Sequence, residues 1–122
     1  MNSTVFGVTR ELKRIYTVKN YIVSDESEFD MSGDYGCKFR LTQDSLTTKG
    51  NLTVEVTVHH RWLGENLGYF IELIGSKNNT MLDCSVRISQ SDLSSFKESK
   101  SVEFCEEQID SLIKALKQTE AA

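Results

Sequence analysis

The clearest periodicity in this chain lies between Asn51 and Trp62, where Leu52, Val54, Val56 and Val58 alternate with Thr53, Glu55 and Thr57. Side chains two apart on a strand share a face, so the run predicts a strand with one face on a core and the other toward water. Tyr35, Cys37, Phe39 and Leu41 alternate in the same way with Gly36, Lys38 and Arg40 and predict a strand before it. After it, Leu63 to Gly68 supplies glycines for a turn, Tyr69 to Ile74 a further strand, Ser76 to Asn79 a turn and Met81 to Ile88 another strand. Such close succession favours an antiparallel meander, because parallel crossovers need a dozen or more residues each.

The spacing changes near the C-terminus. Ile109, Leu112, Ile113 and Leu116 form one stripe, with Glu106 and Glu107 before them and Lys114 and Lys117 toward the end, so Cys105 to Lys117 predicts an amphipathic helix. Burying that stripe contributes roughly 6 to 12 kcal/mol before conformational entropy is subtracted. The N-terminal region carries two signals at once. Val8, Leu12, Ile15 and Tyr16, with Ile22 and Val23, fit a helical stripe, whereas Ile15 to Val18 and Tyr21 to Val23 are rich in β-formers. The expectation is a short helix over Arg10 to Arg14 capped by Thr9, a strand from Tyr16 to Val23, and a loop over the acidic stretch Ser24 to Gly36. Ser91 to Lys97 predicts a short helix capped by Ser89 or Ser91, and Val102 to Phe104 a brief extended piece.

The expected architecture is therefore α+β: an antiparallel meander of about five strands, a C-terminal amphipathic helix packed on one face, and a short N-terminal helix. One domain is expected over residues 1–122, with a frayed tail at 118–122. With 39% apolar and 26% charged residues the composition is that of a soluble globular protein. The first ten residues lack the basic and apolar segments of a secretory signal, so a cytoplasmic address is expected, without membrane association. Three cysteines, Cys37, Cys84 and Cys105, with wide spacing and no CxxC, predict buried free thiols rather than a disulfide framework or a zinc knuckle.

Charge narrows the partner class. A net charge of −4 opposes direct nucleic-acid binding, which needs a basic patch to displace counterions from phosphates. Arg10, Lys13, Arg14 and Lys19 are followed at once by Asp25, Glu26, Glu28, Asp30 and Asp34, a polarity that suits a protein partner with a basic surface.

Candidate chemistry is sparse. His59 and His60 are adjacent, so on a strand they point to opposite faces and cannot share a metal ion without a bulge. His60 follows the parity of Val54, Val56 and Val58, and His59 that of Glu55 and Thr57. The simplest reading is a strand-end histidine bonded to a neighbour, with Glu72 or Asp83 as candidate carboxylates for a catalytic alternative. Cys84 or Cys105 with either histidine would make a nucleophile and base, and Cys105 at a helix start would favour thiolate, but no hydrolase signature surrounds them. No catalytic residue, metal ligand or cofactor is assigned, and no enzymatic activity is expected. Arg61 and Trp62 flank a turn and are residue types that dominate interface hot spots, while Phe29 stands among carboxylates. The expected partner-binding set is Asp25, Glu26, Glu28, Phe29, Asp30, Arg61 and Trp62.

Arg10 to Arg14 and Asp30 to Gly36 together resemble the RxxxR and DxSxxG elements of PilZ domains, with the motif's glycine position occupied by Tyr35 and Gly36 one place later. That resemblance covers about the first third of the chain and implies cyclic di-GMP as ligand, held by Arg14, Asp30 and Ser32. The main expectation is different: a small acidic interaction module of the immunity-protein or phage-inhibitor type, blocking a basic toxin or nucleic-acid-handling enzyme by occlusion. Self-association through an open sheet edge, giving a homodimer, is the third possibility.

Overall fold

The computed structural model describes residues 3–43, 52–89 and 98–118. Helix α1, Ser3–Val18, leads into five strands, β1 Tyr21–Met31, β2 Asp34–Gln43, β3 Leu52–Arg61, β4 Gly68–Lys77 and β5 Thr80–Ser89, and helix α2, Glu98–Gln118, follows. The strands form one antiparallel sheet in the order β1-β2-β3-β4-β5, the expected meander. Helix α1 packs over β1, β2 and β3, and α2 over β3, β4 and β5, side by side on one face.

The alternation that predicted the inner strands also sets the core. Phe39 pairs with Val56, and Val56 with Leu73, which pairs with Cys84, so one parity of every strand meets the helices. Leu12 and Tyr16 of α1 and Ile109, Leu112 and Leu116 of α2 close over that face, all of them buried.

Local expectations are corrected in three regions of the chain. The N-terminal helix is not confined to Arg10–Arg14 but runs through Val18, because Tyr16 is buried and its hydroxyl donates to Asp110 Oδ1 of α2 at 2.7 Å. That tertiary contact outweighs the β-rich composition of the last turn. Thr9 is an interior residue rather than a cap, its hydroxyl donating back to the Val5 carbonyl at 2.8 Å. The helix ends where Asn20 takes a left-handed conformation, φ 71°, a conformation that Asn tolerates better than most residues.

The acidic stretch read as a loop is the edge strand β1, which a two-residue turn at Ser32 and Gly33 joins to β2. Its register shifts between Ser24 and Ser27, a bulge at which Asp25 adopts φ 51°. An extra residue flips the faces, so Tyr21 and Val23 meet the helices while Phe29 and Met31 turn to the opposite side. Charges on an edge strand also oppose pairing with a stray sheet.

Val102 to Phe104 is not extended but belongs to α2, which begins at Glu98, with Val102 and Cys105 extending the apolar stripe upstream. Cys105 therefore lies in the helix interior, where burial pushes its thiol up to about 12, the reverse of activation at a helix start. The short helix expected over Ser91 to Lys97 lies outside the described residues. Gln118 is still helical, and the rest of the expected tail, 119–122, also lies outside the described residues.

Candidate binding face

With both described helices on one side, the other face of the sheet is bare among the described residues. Its centre is a row set by register: Phe29 of β1 opposite Gly36 of β2, then His59 of β3, Phe70 of β4 and Arg87 of β5. The His59 ring lies 5.5 Å from Phe70, nearly parallel to it, and 6.2 Å from Phe29. A Cβ at position 36 would stand 2.5 Å from both His59 Cβ and the Val58 carbonyl oxygen, so only glycine admits this packing. Two aromatic rings and a bare backbone leave His59 just 3% exposed although no helix covers it.

Charged groups frame the row. His59 Nδ1 is 2.9 Å from Asp34 Oδ1, and Arg61 approaches the other Asp34 oxygen at 3.5 Å. The guanidinium groups of Arg61 and Arg87 lie 5.8 Å and 5.4 Å from the Phe70 ring centroid, within cation–π range. Glu72, one of the two carboxylates considered from sequence, stands 3.8 Å from His59 Nε2, too far for a hydrogen bond, so Asp34 is the histidine's partner. Arg40 bridges Asp25 at 2.6 Å and Glu55 at 2.7 Å toward the start of β3. Around these groups stand exposed apolar side chains, among them Met31 at 60% and Met81 at 71%, with Ile22 and Ile74.

His60 sits on the covered side at the end of β3. Its ring stacks on Tyr69 at 4.3 Å and on Trp62 at 5.9 Å, with Tyr35 edge-on at 5.5 Å. Both its nitrogens are buried and without a hydrogen-bond partner among the described residues. Burial lowers its pKa, opposed by the charge of Asp34 and reinforced by His59.

The seven residues expected to bind a partner do not form one patch. Asp25, Phe29 and Arg61 belong to the bare face. Trp62 folds its ring toward the covered side, against Tyr35 and His60. Glu26 pairs with Lys13 of α1, while Glu28 and Asp30 lie exposed along β1 on the helix-side parity. Asp34, Gly36, Phe70 and Arg87 were missed as members of the site. The signal for Phe70 was available, since Phe70, Glu72 and Ile74 carry the parity opposite to the buried Tyr69, Ile71 and Leu73.

Other candidates are dispersed. Arg14 is paired with Glu11 on α1, one turn from its C-terminal end, whereas Asp30 and Ser32 lie at the far end of β1. Cys84 and Cys105 belong to the covered side, opposite His59, and burial raises both thiols. A cleft of about 370 Å³ between α1 and the bulged edge strand is lined by Phe6, Thr9, Lys13, Glu26 and Cys37 among others, and burial keeps the Cys37 thiol protonated. Among the described residues, no group of His, Cys, Asp and Glu converges to hold a metal, and no helix is long and apolar enough to cross a membrane.

The fold and face thus define an α+β protein with a helix-backed meander and one bare, aromatic-centred sheet face. Comparison with protein-family models, with curated proteins and with solved structures returns no match to this chain.

Proposed function

We propose that this protein is a protein-binding module whose contact surface is the bare face of its sheet. The observation that carries the reading is the coexistence, on a face that neither described helix covers, of a packed Phe29–His59–Phe70 row with exposed Ile22, Met31, Ile74 and Met81. Scattered surface apolar residues need no explanation, but a set on one flat face around rigid aromatic anchors and arginines has the composition of an interface centre.

Occlusion is the mode of action such a face supports: it covers a partner's working surface and performs no chemistry of its own, as expected of an inhibitor or immunity protein. Turnover at His59 is disfavoured because Nε2 is buried, so a substrate atom has no approach without movement of the flanking rings. The acidic segment has a smaller share in the docked contact than its charge suggests. Asp25 and Glu26 are engaged by Arg40 and Lys13, leaving Glu28 and Asp30 on the edge strand for long-range steering.

The test is affinity capture from the source cell with three baits: the native chain, Ile74→Asp on the bare face, and Lys114→Asp on the outer side of α2. A partner retained by the first and third and lost by the second is the expected result. A partner indifferent to Ile74→Asp would place the contact surface elsewhere.

A further inference from the structure

We propose that the outer edge of β5 pairs with the same edge of a second copy of this chain, joining the two sheets into one antiparallel sheet about a twofold axis that passes through Ser85 and stands perpendicular to the sheet. This surface is separate from the bare face, and the joined sheet sets two such faces side by side.

The sheet ends in two unlike strands. At one end, β1 is blunted against further pairing by its bulge and by Asp25, Glu26, Glu28 and Asp30. At the other end, β5 pairs with β4 one residue for one from Thr80 to Arg87, so alternate N–H and C=O groups form a regular outer row, and among the described residues no strand continues the sheet beyond it. It has no proline, and Asp83 and Arg87 are its only charges. Along the same edge Leu82, Cys84, Val86 and Ile88 are only half-buried beside the core. A regular edge with an apolar flank is a template for another strand.

Register identifies the strand that fits. A twofold axis perpendicular to the sheet keeps the helices of both copies on one side, so opposed residues share a face and the axis passes through a residue position rather than between two. With the axis at Ser85, Asp83 of each copy stands opposite Arg87 of the other, and Cys84 stands opposite Val86. The only self-opposed residue is a neutral serine. At Asp83 or Arg87 the axis would oppose like charges, and at any other position of β5 it leaves Asp83 and Arg87 without each other. Arg87 stays against the Phe70 ring, 5.4 Å from its centroid, because a guanidinium offers several donors and the second copy's carboxylate adds to its contacts instead of replacing them.

Helix α2 meets its copy across the same axis. It lies mainly over β4 and β5, about one strand spacing from the axis, so the two copies of α2 run antiparallel about 10 Å apart, the separation of packed helices. The flank of α2 away from the Lys19 contacts of Glu106 and Asp110 carries the stripe Phe104, Gln108, Ser111 and Ala115, uncharged in a helix whose outer surface otherwise holds Glu103, Glu107, Lys114 and Lys117. Leu112 and Leu116 lie against Gly75, the partner of Leu82 near the start of β5, so the buried residues upstream of them have sheet beneath them only if α2 runs against β5. The middle of the stripe then lies about 7 Å further along, about two strand residues beyond Leu82 and within about one of Ser85. Strand edge and helix flank thus share one axis. The net charge of −4 on each copy slows their encounter, but at physiological salt it is screened beyond about 8 Å.

Sedimentation equilibrium of the full chain over a concentration series tests the proposal. The native chain is expected to dimerise. Asp83→Arg opposes arginines across the edge and is expected to raise the dimer Kd about tenfold or more, and Asp83→Arg combined with Arg87→Asp to recover most of that loss, because both ion pairs re-form with their signs exchanged. Recovery in the double variant is an outcome that misfolding cannot imitate. Ile22→Asp, on the bare face beside the opposite edge, is expected to leave the Kd unchanged. A chain that stays monomeric at every concentration overturns the second copy. A dimer indifferent to Asp83→Arg, or a double variant no tighter than the single one, overturns the Ser85 register, and a dimer lost with Ile22→Asp overturns the edge as the site of contact. Capture of a partner that Ile74→Asp abolishes is a separate readout, so the edge and the bare face fail independently.

Discussion

His59 and His60 are neighbours in sequence and opposites in surroundings. His59 turns to the bare face, yet it is nearly inaccessible and holds a charged hydrogen-bond partner, Asp34, at 2.9 Å. His60 turns to the covered side, where three aromatic rings enclose it and neither nitrogen finds a hydrogen-bond partner among the described residues. The same side chain is thus used as a polar keystone on one face and as a flat filler on the other. Burial alone does not tell the two apart, because the distinction lies in what the nitrogens meet. A buried imidazole with a carboxylate partner is held in orientation, whereas one among rings contributes chiefly its faces.

The largest expected break in this contrast comes from Tyr69, which is fully buried and stacks on His60. Tyr69→Ala removes an aromatic side chain from the covered side and is expected to cost about 3 to 5 kcal/mol in urea unfolding. Loss of stability below about 1 kcal/mol would mean that the cage collapses freely and that ring packing is not what holds His60.

A smaller, more diagnostic effect is expected at Asp34. Asp34→Ala leaves the His59 Nδ1 without its acceptor in a buried position and is expected to cost about 1 to 3 kcal/mol. In a His59→Phe background the same substitution should cost much less, since the ring no longer carries a polar atom that needs the carboxylate. Equal costs in the two backgrounds would show that Asp34 acts through Arg61 or the turn rather than through the histidine.

How far these features could be read from sequence depended on whether a residue's environment is local. Parity in the run from Leu52 to Arg61 separated the two histidines correctly, because β3 is an inner strand with one covered and one open face. The same rule failed on β1. There the bulge between Ser24 and Ser27 interrupts the alternation, and an edge position removes the demand for apolar residues, so an acidic strand looked like a loop. The end of α1 was hidden for a different reason: what keeps Tyr16 helical is a hydroxyl bonded to Asp110 on the other helix. The Asp34–His59 contact and the Gly36 gap beneath it likewise join separate strands, and no spacing rule reports them. Nor did the pattern say which of the two sheet faces the helices would leave bare.

The smallest expected effect is a pH dependence carried by His60. Burial among Tyr35, Tyr69 and Trp62 holds its pKa below the ordinary value of about 6.5, with Asp34 pulling it up and His59 pushing it down. Between that lowered value and about 6.5 the unfolded chain binds more protons than the folded one, so unfolding free energy rises with pH in that window. The contribution is fully present above about 6.5 and is lost as pH falls through the folded value. Urea midpoints measured from pH 7 down to pH 5 should therefore decline more steeply for the native chain than for His60→Phe, which keeps the flat ring and removes the titration. Replacing His60 should cost little at pH 7, since the aromatic cage meets faces and edges rather than nitrogens. If the slopes are the same in both chains, His60 takes up its proton as readily when folded as when unfolded. In that case the aromatic cage would not discriminate against charge, and the contrast with His59 would reduce to geometry.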